Sequence, residues 1–448
     1  MKKSERPKAL KREDGVDFIS SMPDAILVLI LSRLFFTKET IRSSILSSRW
    51  RYLWTAVPSI HIHYEGKLKK NEFKEFLYWV FVNKSVDLNS FRLCCSNYYS
   101  MSTVGRWIHA AVTRNVKQLE LTLCPNQNYE DIEMPHCLVT SGSVEVLELN
   151  LSRRGLKLPN IMGFPSLRVL ELECVDLLED DNLVKRFLES CPLLEELSLD
   201  DCIINKLGVL CISCLKLKKL TIFNGNEDEG LCGSIKVSCP KLVHLDITGH
   251  LAYNLYFECL NSLKEAAIDP ELEGNIRSVL FPGISQVESL LTDIYFFSQC
   301  INAARDPSLP KLKTLVLTTT IDAFNFSEFI RILKYYPKLE SLKLVIKKQF
   351  YGREEWELHE GDRKRIMTPD LKSAEFFEFK GEKPKLVSDW DEKWLGNFIE
   401  TLRKLRRNVS MISDTSRKRF QGVSMEYPFP WSFENGNGNL REVFMYHR

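Results

Sequence analysis

The sequence predicts an α/β fold: a small N-terminal three-helix segment, then a curved solenoid with parallel β-strands on its concave face and helices on its convex face. Three observations carry this. An apolar-x-x-apolar-x-apolar frame recurs many times between residues 116 and 376. Helix-like stretches ending in Cys-Pro or Tyr-Pro precede several of these frames. Ahead of them, residues 16–60 carry apolar side chains at helical spacing, punctuated by Pro23, Thr37 and Pro58.

The frames start at Val116, Val144, Leu167, Leu194, Leu217, Leu242, Leu263, Val287, Leu312, Leu339 and Leu371, so successive starts lie 21 to 32 residues apart. Most of these steps fall in the window of leucine-rich repeats. The last two apolar positions of each frame are two apart and point to one side of a strand. A short strand cannot bury that side alone, whereas stacked parallel copies share one continuous core. Ala266, Thr292 and Ala374 weaken three frames, and distortion is expected there. Val184 to Leu188 before Cys191-Pro192, and Phe329 to Leu333 before Tyr336-Pro337, read as helices that proline ends ahead of the next strand.

Residues 1–15 are polar and basic, with Lys2, Lys3, Arg6, Lys8, Lys11 and Arg12, and read as a disordered tail. In residues 16–60, Pro23 and Asp24 suit a first helical turn. Proline lacks the amide hydrogen that would go unpaired there, and aspartate faces the positive end of the helix dipole. Ile26, Leu27, Ile30, Leu31 and Leu34 follow at helical spacing. Thr37 is expected to N-cap a second helix carrying Ile41, Ile45 and Leu46. A third short helix carries Trp50, Leu53 and Trp54 and stops at Pro58. So small a segment buries a low fraction of its surface. It must dock on the rest of the chain or leave an apolar face for a partner. Residues 61–115 are expected to be a helical linker, with amphipathic helices around Phe73–Phe81 and Val104–Val112. After residue 376 the frame is lost, and residues 377–448 read as a cap or accessory region.

The whole chain has 448 residues, 44% of them hydrophobic and 27% charged, with a net charge of +2. This is the balance of a globular chain, and it provides no whole-chain electrostatic case for nucleic acid or a membrane surface. The longest apolar runs fall far short of the roughly 20 residues of a membrane span. Thirteen scattered cysteines are an odd number and read as reduced thiols of a cytosolic or nuclear protein. Cys211-Ile212-Ser213-Cys214 has zinc-like spacing without a second pair. No nucleotide-loop, zinc-protease or serine-hydrolase motif occurs, so no enzyme, metal or cofactor is expected.

The run Asp17-Phe18-Ile19-Ser20-Ser21-Met22-Pro23-Asp24-Ala25-Ile26 through Ile30-Leu31-Ser32-Arg33-Leu34, followed by Thr37-Lys38-Glu39-Thr40-Ile41-Arg42-Ser43-Ser44-Ile45-Leu46-Ser47-Ser48-Arg49-Trp50-Arg51-Tyr52-Leu53-Trp54, closely resembles the F-box of plant F-box/leucine-rich-repeat proteins. Trp107 to Val116 resembles the segment that opens the repeats in that family, and the tail is loosely similar to its FBD region. The resemblance implies a non-catalytic substrate receptor of an SCF-type ubiquitin ligase. Such a receptor binds a Skp-type adaptor, and through it a cullin scaffold, by the F-box, and a protein target by the repeats. Carried over by position, the adaptor-binding residues are Met22, Pro23, Ile26, Leu27, Ile30, Leu31, Ile41 and Ile45, with Leu46 and Trp50 shared between docking and the internal core. Ala25, Phe18 and Phe35-Phe36 depart from the family pattern, the last by making a loop one residue longer. They motivate an alternative, a non-ligase protein-interaction scaffold with a degenerate F-box.

Within each frame, the residues between and just after the apolar pair point away from the core. In the early repeats these include Glu120, Glu148, Glu171, Glu173, Glu196 and Asp200. This makes Glu148, Glu171, Glu173, Glu196 and Asp200 candidate target-binding residues, suited to a basic segment. A solvated strand face is the competing reading.

Overall fold

The computed structural model describes residues 18–64, 69–95, 101–123, 131–157, 159, 163–177, 181–226, 232–252, 254–270, 281–320, 326–347 and 371–378. The basic tail and residues 379–448 lie outside these.

The chain opens with α1 (Phe18–Ser21), α2 (Asp24–Leu31) and α3 (Thr37–Arg42), then 3-10 turns over Ser43–Ile45 and Trp50–Ala56. Pro23 precedes α2 in extended conformation and Asp24 occupies its first turn. Arg49 bonds the Asp24 carboxylate at 2.6 Å and the Met22 carbonyl, tying the end of the segment to its beginning. Thr37 does not cap α3: Phe36 holds the cap position. The Thr37 hydroxyl instead accepts the amide of His61 at 2.8 Å, so tertiary structure has claimed the capping oxygen.

A long parallel sheet follows. β1 (Ser59–Tyr64), β2 (Ser90–Cys95) and β3 (Gln118–Leu123) begin it, separated by α4 (Lys70–Asn83) and α5 (Met101–Thr113). Short β4 (Ile132–Glu133) and α6 (His136–Val139) lead to β5 (Val146–Lys157), whose far end β4 pairs. β6 (Val169–Asp176), α7 (Asp181–Glu189) and β7 (Glu196–Asp200) continue it. Then β8 (Val209–Ser213), β9 (Lys219–Asn224), β10 (Ser234–Ser238), β11 (His244–Gly249), β12 (Leu255–Glu258) and β13 (Glu265–Pro270) alternate between two sheets. The odd-numbered strands extend the main sheet, while β8, β10 and β12 form a separate parallel sheet of three. After α8 (Phe281–Ile284), the main sheet gains β14 (Ser289–Asp293), β15 (Thr314–Thr320), β16 (Ser341–Lys347) and β17 (Ser373–Glu378). α9 (Ile294–Ala303) follows β14, and α10 (Phe326–Tyr335) follows β15.

All eleven frames fall on strands of the main sheet, β3, β5, β6, β7, β9, β11 and β13 to β17. Leu119, Leu147, Leu170, Leu197, Leu220 and Leu245 are fully or almost fully buried, as stacking requires. Two corrections concern what surrounds them. The linker is not only helical: β1 and β2 are in the sheet, in register Ile60 to Phe91 and Ile62 to Leu93. The layer opposite the sheet is not helical throughout, because β8, β10 and β12 replace helices in the middle repeats. Frames there start as little as 21 residues apart. A strand spans about 3.3 Å per residue against 1.5 Å for a helix, so extended chain returns the polypeptide with fewer residues. Leu210 and Ile212, Ile235 and Val237, and Leu255 and Phe257 then point inward by period two.

At the weak frames the strands persist: Ala266 and Thr292 are buried in the core face of β13 and β14. The Thr292 hydroxyl has no hydrogen-bond partner, an unfavourable arrangement in a buried position. Gly249 ends β11 at φ +88°, and a Cβ there would come within 2.0 Å of the Asn224 carbonyl, so only glycine fits this close approach.

Candidate interaction surfaces

The N-terminal segment divides its apolar residues between an inside and an outside. Leu27, Leu31, Trp50, Leu53 and Val57 form their own small core, with Met22 and Val28 packed against it. Of the ten residues expected to dock, Leu27, Leu31 and Trp50 are therefore internal. The reason is helical geometry. Leu27 and Leu31 lie one turn apart on the face that meets the turn carrying Trp50 and Leu53, while Ile26 and Ile30 lie on the neighbouring face. Ile41 is half-buried against the main core. Pro23, Ile26, Ile30, Ile45 and Leu46 are exposed, Ile45 by 87% and Leu46 by 65%. Leu46 thus takes no share in the core. Leu29 and Leu34 join the exposed set. Leu29 was legible as part of the unbroken apolar run from Ala25 to Leu31.

This flank is fixed to the sheet. Trp54 stacks on Trp79 of α4, with centroids 4.9 Å apart. The buried Lys84 ammonium donates to the carbonyls of Trp54 at 3.0 Å and Val57 at 2.6 Å, and lies over the Trp54 ring. Burial, and then the charge of Arg114, push this lysine down to about 7.

The second surface is the sheet face opposite the core. The strand register aligns His61, Arg92, Glu120, Glu148 and Glu171 in one row across β1, β2, β3, β5 and β6. Ser198, Thr221 and Asp246 continue it. Glu173 and Asp200 are register partners one step further along their strands, and Glu196 sits at the start of β7. The five acidic candidates thus share one patch, with Glu171, Glu173 and Glu196 exposed and Glu148 and Asp200 half-buried. Arg92 pairs with Glu120. Burial, with Glu120 and Glu171 on either side, pushes Glu148 up to about 7 against the opposing charge of Arg92. Glu171 is also raised, by burial first, with Lys219 opposing. Adjacent strands are about 4.8 Å apart, and carboxylates at that spacing resist full ionisation.

The sequence did not expose one connection. The Phe35-Phe36 loop lies against the start of this row. The Phe35 carbonyl is 3.1 Å from His61 Nδ1, and His61 Nε2 is 3.0 Å from the Ser90 hydroxyl. The Arg92 guanidinium lies over the Phe35 ring at 5.3 Å. Burial, and then Arg92, hold His61 below its ordinary value. Among the described residues, no group of three or more His, Cys, Asp or Glu side chains is placed to hold a metal ion.

Comparison with known proteins gives these surfaces a context. The family model for the LRR domain of the At1g61320/AtMIF1 type matches residues 81–384. F-box/LRR-repeat protein 13 of Arabidopsis thaliana is 27% identical over 366 residues, covering 76% of this chain and 73% of its own. An F-box/FBD/LRR-repeat protein of the same plant is 28% identical over 342 residues, covering 73% and 76%. An FBD-associated F-box protein, also from Arabidopsis thaliana, is 27% identical over 453 residues and covers 94% and 96%. With a repeat sheet that begins directly behind a small helical segment, and relatives spanning both, the chain belongs to the plant F-box/leucine-rich-repeat proteins.

Proposed function

We propose that the protein is the substrate-recognition subunit of an SCF-type ubiquitin ligase. The observation that carries this is the exposed apolar flank of the N-terminal segment. Ile26, Ile30, Ile45 and Leu46, with Leu29, stay outside a core that is already complete without them. Their exposure favours a protein partner, and the family to which the chain belongs makes a Skp-type adaptor, and through it a cullin scaffold, the partner of choice. Pro23 and the half-buried Met22 and Ile41 border the flank. Leu27, Leu31 and Trp50 support it from inside. The chain itself performs no catalysis in this reading. The adaptor side and the target side are held on one rigid body by Lys84 and the Trp54–Trp79 stack. That arrangement turns the encounter of target and ubiquitin-charged enzyme into an effectively intramolecular one. The acidic face of β3, β5, β6 and β7, with Glu148, Glu171, Glu173, Glu196 and Asp200, is the target-binding side.

Co-expression of the full chain with a Skp-type adaptor tests this. The intact protein should copurify with adaptor, and Ile45→Asp with Leu46→Asp should reduce capture by about tenfold or more with the fold intact. Failure of the intact protein to hold any adaptor would sink the proposal.

A further inference from the structure

The F-box loop and the repeat sheet meet at one place, and the chemistry on the two sides of that junction differs. On one side Phe35 and Phe36 pack edge to face at 4.7 Å, and both keep more than a third of their surface exposed. On the other side the row runs through Arg92 to Glu120, Glu148 and Glu171. Arg92 joins the sides, with its guanidinium over the Phe35 ring and its charge paired to Glu120. Glu148 and Glu171, the next two acids of the row, are not paired by Arg92.

We infer that this junction is a single recognition surface for an extended segment of a target protein, with an apolar side chain against Phe35 and Phe36 and lysine or arginine over Glu148 and Glu171. This deepens the target-binding reading above and rests on it. Charge complementarity selects the occupant. Six acidic side chains, Glu120, Glu148, Glu171, Glu173, Glu196 and Asp200, lie on the four strands β3, β5, β6 and β7 of this face; Arg92 on β2 and Lys219 on β9 are in register with Glu120 and Glu196, and Arg153 lies near Cys174 with Glu173 and Asp200. An anionic ligand such as nucleic acid or a phosphopeptide would meet uncompensated repulsion there. Spacing sharpens the match. Glu148 and Glu171 lie two and three strand intervals beyond Arg92, or about 10 and 14 Å. An extended peptide advances about 3.3 Å per residue. Side chains two and four positions from the apolar one share its side of an extended peptide, about 7 and 13 Å away, so basic residues there flank Glu148 and reach Glu171.

Proton linkage provides an independent signature. The groups facing Glu148 are Glu120, Glu171 and Arg92, and those facing Glu171 are Glu120, Glu173, Glu196 and Lys219. A cation seated between Glu148 and Glu171 favours their charged forms, so binding releases a proton near neutral pH and tightens as pH rises from 6 to 8.

The test uses the full chain and a synthetic eight-residue peptide carrying one leucine and two arginines two and four positions after it. Calorimetry should show binding that weakens about tenfold with Glu148→Gln plus Glu171→Gln, isosteric changes whose thermal unfolding confirms the fold. Replacing the peptide leucine by glycine should weaken binding in the native chain, yet matter little in a Phe35→Ala, Phe36→Ala chain. The inference is overturned if a peptide with glutamates for arginines binds equally well, if the two glutamine changes leave affinity within about twofold, or if the leucine effect survives loss of both phenylalanines. Adaptor capture, measured on the same proteins, should be unchanged by the glutamine pair. Loss of adaptor binding by the native chain with peptide binding retained would remove the ligase reading and leave this surface standing.

Discussion

As far as β15, the row of side chains that crosses the sheet between the two buried positions of each frame has two halves with opposite chemistry; the register continues through Lys343 and Glu375 on β16 and β17. From His61 to Asp246 it is charged or polar, and Glu148 and Glu171 lie half-buried or exposed. From Ala267 the register continues through Leu291 and Val316, and both of these are buried. In the second half a polar group is paired internally: the Thr318 hydroxyl donates to the buried Asp269 carboxylate at 2.9 Å. The core face of the same strands shows no such division, because Leu170 and Leu315 are both fully buried. Stacking of repeats fixes which positions face the core. It leaves the interleaved positions free, so the two halves diverge in chemistry without any change in architecture.

The largest effect should come from exchanging the chemistry of the two halves. Leu291→Asp, flanked in register by Ala267 and Val316, places a carboxylate in a dry site and should cost on the order of 3 kcal/mol or more in chemical unfolding. Glu171→Leu in the first half should stay within about 1 kcal/mol, because it removes a like charge from an exposed position. Equal losses for the two would erase the distinction between the halves.

A smaller and symmetrical effect is expected at the shared core face. Leu170→Ala and Leu315→Ala should each destabilise by about 2–5 kcal/mol. Similar values would show that the repeat core is uniform although the opposite face is not.

The smallest effect is the pH dependence that Glu148 contributes, partly offset by Lys84, whose lowered value acts in the opposite direction. Glu148 is raised from its ordinary 4.5 to about 7, so between those values the folded chain binds more protons than the unfolded one. Stability contributed by this group is present at low pH and falls as pH rises toward 7. Thermal midpoints should drop by roughly a few degrees from pH 5 to pH 7.5, with solvent screening limiting the size. Glu148→Gln should flatten that slope, whereas a slope unaltered by the change would assign the proton elsewhere.

How much was legible depends on whether a residue's role is local. The eleven frames marked eleven strands because their period encodes burial on one face. Two further frames of the main sheet are written in the same code, Val57-Ile60-Ile62 on β1 and Leu88-Phe91-Leu93 on β2. Neighbouring helical patterns masked them. The three-stranded second sheet carries the same frame, in Leu207-Leu210-Ile212, Cys232-Ile235-Val237 and Ala252-Leu255-Phe257, so period alone does not tell the two sheets apart. The exposed apolar flank was half legible. The composition of α2 required exposed apolar side chains, yet which ones remained outside depended on where Trp50 and Leu53 packed.

The sequence by itself determined the repeat and its parallel strands, because both follow from short-range period and spacing; the N-terminal segment it marked only by resemblance. Tertiary structure decided the rest: that the Thr37 hydroxyl serves His61 instead of its own helix, that Phe35 reaches Arg92, and that Glu120, Glu148 and Glu171 stand side by side although more than 20 residues separate each from the next. Those relations arise only when strands distant in the chain come into register, and the proximity they create changes both the charge and the accessibility of the groups involved.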